Sequence, residues 1–186
     1  MKIISFKDSG GLNLTQAVLS GHKTMTRIAV TEWVERDAMV YAEGKSEFTR
    51  VKFEYILKHS PYKVGDIVAI QQSYSDIGDQ VGYRTLQETP LDHAGWTNKM
   101  FVKAELMLHH IRITDVRVEL LQDISDEDCL REGVVRFTSG YNFVGNEDTA
   151  YLTPRKAFAA LIDKVSGRGT WESNPLVWVY TFELVD

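Results

Sequence analysis

Hydrophobic positions along this chain come in short runs, and the spacing within each run names an element. Ile3 to Phe6 is a compact run that predicts a strand. Leu14, Ala17 and Val18 fall at helical spacing after Asn13, a natural N-cap, and Gly21 stands just past the end. The turn Pro61-Tyr62-Lys63-Val64-Gly65-Asp66 leads into Ile67 to Ile70, a second strand. The longest strand pattern is Ile111 to Leu121. There Ile111 and Ile113 share one parity while Val116, Val118 and Leu120 share the other, so a bulge is predicted near Thr114-Asp115. Ser125 caps a short helix with acids in its first turn, ended by Gly133. Thr153-Pro154 opens the strongest helix, with Ala157, Phe158, Leu161, Ile162 and Val165 at helical spacing and Gly167 as its stop. Val177 to Val185 alternates as a terminal strand, and its Trp178, Tyr180 and Phe182 read as core.

Between these runs lie three polar stretches, 31–60, 75–108 and 136–152, which read as insertions in a single domain. The first fits a helix and a hairpin alike. No repeat or low-complexity segment is present. Strands and helices do not alternate regularly, which disfavours a parallel α/β fold. The expected class is α+β, mainly β: a small antiparallel barrel with short helices at its openings.

Composition changes this picture little. The 186 residues are 44% hydrophobic and 25% charged, enough for one core. The lone Cys129 allows no internal disulfide, and reads as a small buried residue. The apolar run at Met1 to Phe6 is too short for a signal peptide, and no run reaches the ~20 residues of a membrane helix, so a cytoplasmic place and no membrane partner are expected. The net charge of −5 disfavours a protein that coats duplex nucleic acid, and favours a small ligand or a short RNA element.

Candidate chemistry concentrates in Gly21-His22-Lys23-Thr24-Met25-Thr26-Arg27. Two cations and two hydroxyls beside a glycine turn could grip a phosphate or a base, or activate a carbonyl. The plainer alternatives are a solvated lysine, a strand threonine and an ion-paired arginine. His109-His110 places its rings on opposite faces of a strand, and no further ligand has metal spacing, so neither metal nor cofactor is expected.

The order of these pieces resembles the ASCH domain, a PUA-like β-barrel family. Four stretches carry the resemblance: Gly21-x-Lys23-x-x-Thr26-Arg27, Tyr62-x-x-Gly65-Asp66, Arg117 through Ser125 with Glu132-Gly133, and Asn174-Pro175 through Phe182. The longer phage- and prophage-type members share this layout, including Trp171-x-x-Asn174-Pro175. Ile28 stands where many relatives carry a second basic residue, and Gln71-Gln72 where they tend to carry Arg-Glu.

The resemblance implies a pocket in which Gly21, Lys23, Thr24 and Arg27 bind a ligand and Tyr74, Trp96 or Trp171 stacks on a base. Its first reading is a protein that holds RNA or a nucleotide-like ligand. Its second is an amidohydrolase acting on an N-acylated nucleoside such as N4-acetylcytidine, with Lys23, Thr26 and Glu132 as the catalytic group. A third is a phage or mobile-element interaction protein without chemistry. The hydrolase requires Lys23, Thr26 and Glu132 to converge in one open pocket. The binding protein requires a positive hollow with an exposed aromatic.

Overall fold

The fold is that of a computed structural model, which describes residues 1–81, 97, 99, 102–144 and 150–185. Among the described residues there are seven strands: β1 (Lys2–Ile4), β2 (Met25–Ala29), β3 (Ile67–Ile70), β4 (His110–Leu120), β5 (Val134–Phe137), β6 (Gly140–Phe143) and β7 (Leu176–Leu184). The helices are α1 (Leu14–Leu19), α2 (Glu32–Ala42), α3 (Phe48–Lys58), α4 (Tyr74–Val81), α5 (Asp126–Arg131), α6 (Pro154–Ser166) and α7 (Thr170–Ser173). The class is α+β. Helices hold more residues than strands in the described part of the chain, which is therefore not mainly β.

Five strands form one mixed sheet in the order β1-β3-β4-β7-β2, and β5-β6 is a separate hairpin. The β1–β3 pair is parallel and the other pairs are antiparallel. Among the described residues no pairing joins β1 to β2, so the sheet keeps two edges where a closed barrel was expected. The predicted bulge is there: the β4–β7 register shifts between Ile113 and Asp115. β7 lies between β4 and β2, and Leu176 through Tyr180 are buried without a break. A strand covered on both faces loses its polar alternation.

Side-chain caps start α5 and α6. Ser125 Oγ accepts from Asp128 N at 3.1 Å, and Thr153 Oγ1 from Lys156 N at 3.2 Å with Pro154 at the first position. Asn13 does not cap α1 with its side chain. Asp8 does so from outside the helix, accepting from Thr15 N at 2.8 Å and Thr15 Oγ1 at 2.6 Å. Gly21, at φ +75°, ends α1 in the left-handed conformation that glycine adopts freely.

The insertion at 31–60 is a helical hairpin. α2 buries Val34, Ala38 and Ala42, and α3 buries Ile56. The insertion at 75–108 contains all but the first residue of α4, and the one at 136–152 contains most of the β5–β6 hairpin. A main core under the sheet runs from Ile4 to Phe182, and a smaller cluster gathers Ala69, Ile77, Val102, Ala104 and Met107. No helix among the described residues is long and apolar enough to cross a membrane.

Candidate functional site

A backbone bridge builds the site. Lys23 pairs antiparallel with Glu132 as an isolated bridge, and Thr24 N donates to Arg131 O at 2.9 Å. This docks the start of β2 on the end of α5, where Glu132 is the C-cap residue. A carboxylate there faces the negative end of the helix dipole. Two buried cations offset that penalty.

Lys23 Nζ donates to Glu132 Oε2 at 2.6 Å and to Glu132 O at 3.0 Å. The two side chains are only 3% and 5% exposed. Arg27 Nη1 donates to the other carboxylate oxygen, Oε1, at 2.9 Å. Its remaining donors reach Glu119 Oε1 from Nε at 3.0 Å and from Nη2 at 2.6 Å, Asp128 Oδ2 at 3.1 Å and Met25 Sδ at 3.3 Å. Every N–H of this guanidinium therefore has a partner inside the protein. Arg117 extends the network, donating to Glu119 Oε2 at 3.1 Å and to Asp128.

Charge and burial act on these groups in opposite directions. Burial pushes the Lys23 ammonium below the ordinary lysine value, and the charge of Arg27 adds to this; Glu132 opposes both without cancelling them. Burial also disfavours the Arg27 cation, but Glu132 and Glu119 outweigh it and hold its pKa above the usual value. Burial raises the Cys129 thiol to about 12, too high to supply a thiolate.

Lys23, Arg27 and Glu132 line a cavity of ≈ 50 Å³ together with Thr26, Phe6 and Phe158. Ser5, Phe6, Lys7 and Val165 belong both to this cavity and to an outer recess of ≈ 690 Å³, which also touches Asp8 and Lys99. The inner space holds a few waters or a small acyl group, and a base requires the outer recess. Among the described residues the Thr26 hydroxyl makes no side-chain hydrogen bond, and no buried side-chain nitrogen or oxygen lacks a partner. Thr26 itself is half-buried.

The other expected binding residues stand apart. Gly21 shapes the turn, and Thr24 Oγ1 accepts from Arg131 Nε at 3.4 Å. Tyr74 packs against the smaller apolar cluster. The Trp171 ring meets Phe158 edge-on at 6.1 Å and carries Arg155 at 5.5 Å. Trp96 lies outside the described residues. Sequence reasoning missed Glu119 and Asp128, which hold Arg27. Glu119 shares parity with Arg117 on β4 and Asp128 sits in the acidic first turn of α5, but neither position announces a partner on β2. Among the described residues no three His, Cys, Asp or Glu side chains gather to hold a metal ion.

No family model, curated protein or solved structure matches the chain.

Proposed function

We propose that the chain is an ASCH-type amidohydrolase, and that its substrate is an N-acylated nucleoside such as N4-acetylcytidine. The observation that carries this reading is the buried Lys23–Glu132 pair on a cavity that Thr26 also lines. Burial lowers the Lys23 pKa, so this ammonium gives up a proton more readily than an ordinary lysine, and Glu132 supplies two oxygens to hold its other N–H donors.

Thr26 Oγ attacks the amide carbonyl carbon while its proton passes to Lys23 Nζ. The C–N bond then breaks, and the proton moves from Lys23 to the leaving amine. Water hydrolyses the acyl-threonine, releasing the acid and restoring the hydroxyl. Glu132 holds the lysine and balances its charge when it is protonated. Arg27 positions Glu132 and has no donor left for a phosphate. The acyl group occupies the inner cavity and the nucleoside the outer recess.

The reading as an RNA- or nucleotide-holding pocket has less support. It needs free positive charge and an exposed ring at the cavity, whereas Lys23 and Arg27 are neutralised within the protein and Trp171 packs on Phe158 and Arg155. The test is incubation with N4-acetylcytidine, following cytidine and acetate by chromatography. Wild type is expected to release both in equal amounts, and Lys23→Ala neither. Release by Lys23→Ala at the wild-type rate would overturn the reading.

A further inference from the structure

The α2–α3 hairpin carries a feature that the hydrolase site does not use. Four rings run along its outer face. Tyr41 lies 5.0 Å from Tyr55, Tyr55 stacks on His59 at 4.1 Å and 24°, and His59 meets Trp33 edge-on at 6.5 Å. Trp33 and Tyr41 are 52% and 53% exposed, far more than packing of two helices requires. Three of the rings, Tyr41, Tyr55 and His59, border a hollow of ≈ 340 Å³ lined also by Lys45, Glu54 and Lys58, within the size range of ligand pockets.

The charges around this hollow are not balanced. Arg36 pairs with Asp37, Arg50 with Glu47 and Glu54, and Lys52 with Glu35. Among the described residues Lys45 and Lys58 have no carboxylate partner, and both border the hollow. Glu54, its one acid, is already engaged by Arg50. Lys63 covers the carbonyls of Leu57 and Lys58, which offsets the negative end of α3 beside the rings. Lys45 Nζ sits 3.2 Å above the Tyr41 ring, in the place a base would take. A flexible surface lysine can leave that face for a phosphate.

We infer that this aromatic shelf is a binding site for single-stranded nucleic acid, with a base stacked on Tyr41 and adjacent phosphates held by Lys45 and Lys58. Ring faces beside uncompensated cations match a strand whose bases are free to stack. A duplex keeps its base faces internal and offers only phosphates. The overall charge of −5 limits the contact to a short stretch of strand. The inference does not depend on the hydrolase reading, because the shelf and the Lys23 cavity share no lining residue.

The test is fluorescence anisotropy with an end-labelled strand of about 12 nucleotides, single-stranded and as duplex. The proteins are wild type, Tyr41→Ala, the double variant Lys45→Glu/Lys58→Glu, and Thr26→Val. Wild type is expected to bind the single strand more tightly than the duplex. Tyr41→Ala and the double variant should each weaken binding by about tenfold or more, and the double variant should also flatten the salt dependence. Thr26→Val should bind as wild type does. The inference is overturned by no wild-type binding up to about 100 μM, by equal binding of duplex, or by Tyr41→Ala and Lys45→Glu/Lys58→Glu proteins that bind like wild type. Circular dichroism confirms that these surface variants keep the wild-type helix content.

Discussion

The Lys23 ammonium lies 2.6 Å from Oε2 of Glu132, joining residues 109 positions apart in a region almost closed to solvent. Because Arg27 holds Oε1 of the same carboxylate, Glu132 faces two buried cations, one of which it shares with Glu119 and Asp128. Removing Glu132 leaves those cations with less than their due of negative charge. Glu132→Ala is therefore expected to destabilise the fold by about 3–5 kcal/mol, read from the denaturant midpoint at unchanged slope. A loss under about 1 kcal/mol would mean that water reaches the pair freely.

The lowered pKa of Lys23 has a defined sign in the stability curve. Between its folded value and the ordinary 10.5 of the unfolded chain, the unfolded state binds the extra proton. Stability contributed by this residue thus rises with pH across that window and is lost as pH falls through the folded value. Lys23→Met should remove that rise, measured by denaturation at a series of alkaline pH values. An identical alkaline slope in the variant would contradict the assignment.

Gly133 follows Glu132 with φ +103°, and a Cβ there would sit 3.7 Å from Leu14 and 3.9 Å from Lys23. Space is adequate, so any penalty comes from the backbone. Gly133→Ala should cost about 1–2 kcal/mol, seen as a lower denaturation midpoint. A neutral result would show that the turn relaxes.

What could be read in the sequence was mostly local. Ser125 and Thr153 cap because a hydroxyl three residues before a free N–H needs no distant partner. The Thr114-Asp115 parity switch revealed the bulge because register is written in the alternation itself. The α2–α3 hairpin was ambiguous because α3 buries a single residue, Ile56, and half-exposed helices carry a weak stripe. The parallel β1–β3 pair and the open sheet edges depend on contacts between segments more than sixty residues apart, which no local pattern encodes. At the site, Lys23 and Glu132 emerged together only through the resemblance to a family motif. The hold of Glu119 and Asp128 on Arg27 spans three elements and left no spacing to read.

Thr26 separates structure from chemistry, since its hydroxyl makes no side-chain hydrogen bond among the described residues. Thr26→Val should keep wild-type stability within about 0.5 kcal/mol by thermal or denaturant unfolding. A larger loss would show that the hydroxyl is structural.

The most direct measurement is therefore kcat/KM for N4-acetylcytidine with wild type and Thr26→Val side by side. The account predicts turnover by wild type and a loss of at least about 10²-fold in the variant at unchanged stability. Equal turnover by the two proteins, or none by wild type, would contradict it.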